Sequence, residues 1–440
     1  MSSWRLRAVG LGGAVVALSG AACGGKTSSG GDDAASVLQK NNHATRDGHY
    51  VQPALTRAAA GTLTLDAGFK PTITGNVYAQ PLFVAAGPGG RGVFIVVTAD
   101  NNVHAVAETD GAAVWTRNLG TAAKVSGAGC GNVLPIGITG TPVIDRSTRT
   151  IYLVAAIGSD TGIDRYEIHA LSIDDGGERA RFPFDPASVK YGGQSFVANL
   201  HNQRGALGLL GGTLYVPFGG HAGDCGDYRG WVIGLPLGNP AGAQAFVTGA
   251  RGGGIWAVGG VASDGRDVFA ATGNTFGTAT WARGEAVVRL RCGVAFTQQP
   301  ADYFTPSDWK GLDDADLDLG GTGPLVVDVP GATPSALVVA LGKNGVAYLL
   351  DRNNLGGVGK GNGMTGEGVV SAQVASSSII DAPASYTTAS GTYVVLRAIR
   401  PGSAANCPAG QSGELVAFKI GAASQPTVTV AWCADRKSVV

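Results

Sequence analysis

The chain has 440 residues, of which 32 are basic and 32 acidic, so its formal net charge is zero and it carries no electrostatic footprint for nucleic acid. Glycine supplies 71 residues, more than twice the usual share of about 7%, while charged residues reach only 15% against a usual quarter or so. Lysine and glutamate are scarce and 44% of residues are hydrophobic, which excludes disorder for most of the chain and favours short strands joined by tight turns.

Residues 1–22 have the form of a bacterial export signal. Arg5 and Arg7 precede a short apolar stretch, and Ser19-Gly20-Ala21-Ala22 leads into Cys23. A cysteine directly after small residues resembles a lipobox, although Gly20 stands where leucine is usual; the alternative is plain cleavage near Ala22. Residues 23–36 then read as a flexible Gly/Ser-rich tether. This predicts an exported protein of the bacterial cell envelope, either periplasmic or an outer-membrane lipoprotein, that meets the membrane only through lipid on Cys23.

From residue 37 to 440 the pattern is strand and turn. Val93-Phe94-Ile95-Val96-Val97, Val103-His104-Ala105-Val106 and Ala113-Val114-Trp115-Thr116 are separated by Asp/Asn/Gly turns. The outline recurs at 151–171, 214–233, 268–288, 337–349 and 393–418, with successive inner strands about 55 to 70 residues apart. Units this small cannot bury two faces alone, so neighbours must stack. An all-β propeller of six to eight four-stranded blades follows, seven being the expected number; a β-sandwich is the competing architecture. Residues 62–66 and 77–84 fit strands of a first blade. Residues 434–440 supply no closing strand, which leaves ring closure open.

Without Cys23, five cysteines remain, and none stands in a CxxC or adjacent pair. Cys407 and Cys433 flank one strand-rich unit and are expected to be bridged. Cys130 with Cys225 is the second expected pair, leaving Cys292 as a buried or idle thiol.

The unit 99–106, followed by Thr109-Asp110-Gly111 and Trp115, resembles the tryptophan-docking repeat of quinoprotein propellers. Asn76 to Leu82, Gly137 to Asp145, Gly252-Gly253-Gly254-Ile255-Trp256 and Tyr348 to Asn354 resemble secreted propellers of the pyrroloquinoline-quinone (PQQ)-like class. The resemblance covers roughly residues 40 to 435, and the chain is expected to be a monomer. In the dehydrogenases of that class a calcium ion holds the quinone, using Glu, Asn and Asp oxygens, and a carboxylate takes the substrate hydroxyl proton. The resemblance makes Asn274 a candidate ligand to metal and cofactor, and Asp224 or Asp227 a stand-in for the missing Glu. Asp308 and Asp316 are the candidate catalytic acids. Trp256 is read either as a stacking surface for the cofactor or as a blade-docking residue. The competing reading of all these acids is local turn bonding. No adjacent Cys-Cys pair, which accompanies the quinone in the alcohol dehydrogenases, occurs here.

His104 and His169 occupy equivalent repeat positions and read as blade-edge residues, whereas His201 and His221 read as lining a funnel. Motifs for zinc proteases, serine esterases and phosphate-binding loops do not occur. The leading expectation is a binding or scaffold module that needs no cofactor and recognises an envelope protein or a glycan. The alternative is a PQQ- and calcium-dependent dehydrogenase acting on an alcohol or sugar.

Overall fold

The computed structural model describes residues 35–125, 129–359 and 367–435, with the side chain of Cys292 left out. The export signal, Cys23 and nearly all of the tether lie outside the described residues, and so does the expectation for the Cys292 thiol.

Helices are confined to short segments, chiefly Arg57–Ala60 and Trp309–Ala315. Apolar runs such as Val93–Val97, Val268–Thr272 and Ala336–Leu341 are strands buried on both faces, which explains their near-continuous hydrophobicity. Among the described residues, six antiparallel sheets of three to five strands follow one another along the chain, at 82–118, 143–172, 208–247, 262–305, 325–373 and 384–434. The fourth gains a parallel fifth strand from Gly357–Val358, and a small hairpin pairs Lys190–Tyr191 with Gln194–Ser195. In each sheet the first strand in sequence lies at one edge, and the first strands of the second to fifth sheets touch in succession, so these edges line a common axis. The result is a PQQ-like β-propeller.

Stacking supplies the core. Ile95 and Leu153 join the first and second sheets, Val154 and Val216 the second and third, and Val232 and Val288 the third and fourth. Val287 and Val338 join the fourth and fifth, and Val339 and Val394 the fifth and sixth. Trp115 of the first sheet docks on the second: its indole N–H donates to the Ile173 carbonyl at 2.8 Å. A Cβ on Gly176, at φ +69°, would stand 2.8 Å from that ring, so this turn needs glycine.

Among the described residues, no buried cluster of this kind joins the sixth sheet to the first. A segment ahead of the first sheet takes over that task. Residues 37–47 run through the axis and bond to all six sheets in turn. Val37 pairs with Phe83, and the Leu38 carbonyl accepts from Ile144 N–H at 2.8 Å. Arg46 donates to the Leu207 and Val261 carbonyls at 2.7 and 2.8 Å. The carbonyls of Ala44, Thr45 and Asp47 accept from Ser263, Val326 and Ser385 at 2.7, 3.0 and 2.6 Å. Residues 62–66, expected as a strand of a first blade, are outside any strand, with Leu63 70% and Leu65 98% exposed. Of the 77–84 stretch, only Leu82–Val84 is a strand.

Cys130 is bridged to Cys225, and Cys407 to Cys433. Two disulfides fit export to an oxidising compartment. No helix among the described residues is long and apolar enough to cross a membrane.

Candidate ligand site at the ring axis

The connections between sheets and the turns between second and third strands gather at one end of the axis. Trp256 lies in the run 252–256 that leads into the fourth sheet. This run is pinned by Gly253 N–H to the Asn274 carbonyl at 2.6 Å and by Gly273 N–H to the Gly254 carbonyl at 2.9 Å. Its indole is half-buried, and the Arg204 guanidinium and Lys343 ammonium stand 5.5 and 5.2 Å from the ring centroid. Such cations are attracted by the electron-rich face of indole. Burial lowers Arg204 below its ordinary value.

Beside the indole sits a buried carboxylate, Asp318. Asn274 N–H donates to its Oδ1 at 2.7 Å, and the Lys343 ammonium pairs with its other oxygen. A Cβ on Gly273 would stand 2.2 Å from Asp318 Oδ1 and 3.0 Å from the Trp256 indole nitrogen, so only glycine lets both approach this strand end. Burial raises Asp318 above the usual carboxylate range, and Lys343 and the Asn274 N–H hold it down. Lys343 is drawn down by burial and lifted by Asp318 and Asp316, with a net rise.

The sequence-derived candidates scatter around this centre. Asn274, only 5% exposed, is at the site through its backbone N–H and carbonyl. Asp308 is exposed at the start of the helix Trp309–Ala315, and its side chain makes no cap bond. Asp316 ends that helix in a left-handed conformation (φ +53°), exposed, and reaches the site only as the outer partner of Lys343 at 2.7 Å. Asp313, one turn earlier, accepts from the Thr275 N–H and hydroxyl at 2.8 and 2.9 Å. Asp224 accepts the Tyr228 hydroxyl at 2.5 Å, whereas Asp227 is exposed. Burial, then Asp224, pushes the Tyr228 phenol well above its ordinary range. The acids named as catalytic thus lie at the rim, and the one at the centre is Asp318.

Sequence reasoning missed Lys343 and Glu285; it placed Arg204 only in a polar cluster with His201, and within the acid-rich stretch 313–318 it chose Asp316 over Asp318. Glu285 is fully buried at φ +47°, and its Oε2 accepts the Leu319 N–H at 2.5 Å. Of the histidines, His201 and His221 are both 2% exposed, and burial drives each down to about 4, so both are neutral at physiological pH. His104 and His169, expected at blade edges, are buried at 4% exposure; His169 Nδ1 bonds Glu178 at 2.7 Å.

The arrangement suits a flat ring bearing negative charge: an aromatic floor, two cations beside it and a buried acid to receive a polar group. A quinone with carboxylates fits that description, with Trp256, Arg204 and Lys343 to hold it. Calcium does not fit equally well. Both Asp318 oxygens are engaged, Asp224 is engaged by Tyr228, and no group of three or more His, Cys, Asp or Glu side chains among the described residues could hold a metal ion.

No protein-family profile and no curated protein matches the chain. Among solved structures, it is similar to the quinohemoprotein alcohol dehydrogenase ADHIIG of Pseudomonas putida HK5, with a TM-score of 0.59 and 14% identity over 89% of this chain and 59% of that one. The quinohemoprotein alcohol dehydrogenase of Comamonas testosteroni gives a TM-score of 0.58 at 13% identity, over 91% and 67% of the two chains. A europium-containing methanol dehydrogenase gives 0.58 at 12% identity, over 91% and 73%. The chain therefore spans about three fifths of the length of the Pseudomonas enzyme, and at these identities the likeness is one of fold.

Proposed function

We propose that this protein is an exported binding propeller whose axial site takes a ring-bearing carboxylate, and that lipid on Cys23 tethers it to the bacterial envelope. The observation that carries the binding reading is the half-buried Trp256 face with Arg204 and Lys343 within 5.5 Å of its centroid. A single indole face with two cations beside it favours the acidic end of a glycan over a broad protein surface as partner. Stacking on indole would hold the ring while the two cations meet the carboxylate.

A second reading, a quinone-dependent dehydrogenase of alcohols or sugars, is favoured by Asp318. A bound quinone would supply the electron acceptor. Asp318, raised by burial yet still paired with Lys343, is the group placed to accept a hydroxyl proton.

Tryptophan fluorescence on titration separates the two, using PQQ with and without calcium, uronic-acid oligosaccharides and their neutral counterparts. The binding reading predicts saturable quenching by the carboxylated rings, independent of calcium, with neutral sugars inert. Quenching by PQQ only in calcium, together with dye reduction on adding alcohol, would replace it by the dehydrogenase; no response to any carboxylated ring would overturn both. Anchoring is tested by fractionation: Cys23→Ser should move the protein from membranes to the soluble fraction, and equal distribution of both forms would refute lipidation.

A further inference from the structure

Among the described residues, Glu285 is a fully buried carboxyl at the axis with no ion pair to a cation of its own. It enters the strand Ala286–Leu290 at φ +47°, a conformation that costs a non-glycine residue free energy, so the surroundings hold it there. Its backbone is clamped on both sides: Glu285 N–H donates to the Gly273 carbonyl at 3.0 Å, and the Thr305 hydroxyl donates to the Glu285 carbonyl at 2.7 Å. Oε2 takes the Leu319 N–H, one residue from Asp318, while Oε1 is buried without a hydrogen-bond partner among the described residues.

The charged and titratable groups facing it are Asp318, Asp313, Lys343 and the Tyr348 phenol. Lys343 is committed to Asp318 and Asp316, and Asp318 and Asp313 repel a second negative charge. An ionised carboxylate in such a place would be desolvated and unpaired, which proteins avoid by neutralising the group.

We propose that Glu285 is carried as the neutral acid and is the positioning residue of Asp318: it keeps the proton, so that Asp318 remains the single inner carboxylate charged against Lys343. A ligand then meets one anion and two cations rather than two anions. The role bears on ligand binding only through the axial-site reading, whereas its tests need no ligand, so the two can fail separately. Burial, then Asp318, pushes Glu285 up to about 9, in keeping with this assignment.

The linkage has a definite sign. A carboxyl raised in the folded state binds its proton there while the unfolded chain has lost it, so stability falls as pH rises from about 4.5 towards about 9. Glu285→Gln is permanently neutral and keeps an oxygen for the Leu319 N–H. The Tm of the variant relative to wild type should therefore climb steadily between pH 5 and pH 9. Parallel Tm curves would overturn the proposal, because a purely structural role shifts both by a constant amount. Should the variant fail to fold, the wild type still decides. With only six glutamates in the chain, infrared spectra of protein labelled with 13C-glutamate should show a protonated glutamic acid persisting at pH 8. Its absence at that pH would refute the neutral acid.

Discussion

Gly273 shows how much of the site depends on one missing methyl group. Between Thr272, the last residue of a buried strand, and Asn274, it brings Asp318 and the indole of Trp256 to the same spot. Trp256→Ala should remove the stacking floor and leave two cations without their aromatic partner. A loss of about 1.5 kcal/mol is expected from aromatic contact alone, or roughly ten-fold in Kd. Isothermal titration of the carboxylated ligand against wild type and variant measures it, and an unchanged Kd would place the ligand elsewhere. Trp256 and Asn274 were readable because a local pattern marks them, Gly-Gly-Gly-Ile-Trp before a strand and Thr-Gly-Asn after one. Asp318 was not, because its register within Asp313-Asp314-Ala315-Asp316-Leu317-Asp318 depends on where the helix stops. Asp316 takes the left-handed end position, and the chain then turns so that Asp318 points inward. Lys343 sits in a turn of the fifth sheet and Arg204 in the connection that leads into the third, and nothing local in the sequence brings them to Trp256.

At the scale of elements, the segment 37–47 does what a shared blade or a final buried cluster does in a closed ring. Its anchor is Arg46, 3% exposed and held down by burial to about 10, hence still cationic at neutral pH. Arg46→Ala would strand the Leu207 and Val261 carbonyls in the axis and release the Gln39 and Lys40 contacts. Hydrogen bonds to a charged group contribute about 1.5–3 kcal/mol each, so the loss should be about 3 kcal/mol or more. Chemical denaturation reads this directly, and hydrogen exchange should quicken first in the sixth and first sheets, where no stacked cluster compensates. A uniform, small change would mean that the segment merely fills the channel. The sequence reading placed residues 37–61 within the propeller but gave them no closing role. The bonds of this segment are long-range backbone contacts, which no periodicity records, and its polar side chains, Asn41, Asn42 and Arg46 at positive φ, resemble any loop.

For the molecule as a whole, repetition made the architecture legible. Buried strand pairs at regular spacing imply sheets that must stack, and Trp115 on the Ile173 carbonyl is the docking contact that the repeat resemblance implied. The bridge Cys407–Cys433 follows the same logic, since Cys433 lies on the last strand of the sixth sheet and Cys407 in the loop before its third. What the repeat could not convey was how the ring ends, because closure is carried by an irregular segment rather than by another copy of the unit. The ring places every connection of one kind on one face, and so a single site arises from residues 204, 256, 274, 285, 318 and 343, spread over 140 positions of the chain. Whether that site is the working one is tested most directly by a crystal structure of the protein soaked with a uronic-acid oligosaccharide or PQQ. The account predicts a ring stacked on Trp256 with its carboxylate at Arg204 and Lys343 and a polar group at Asp318. A ligand seated on the outer face of the sheets, with the axis left as it is, would contradict it.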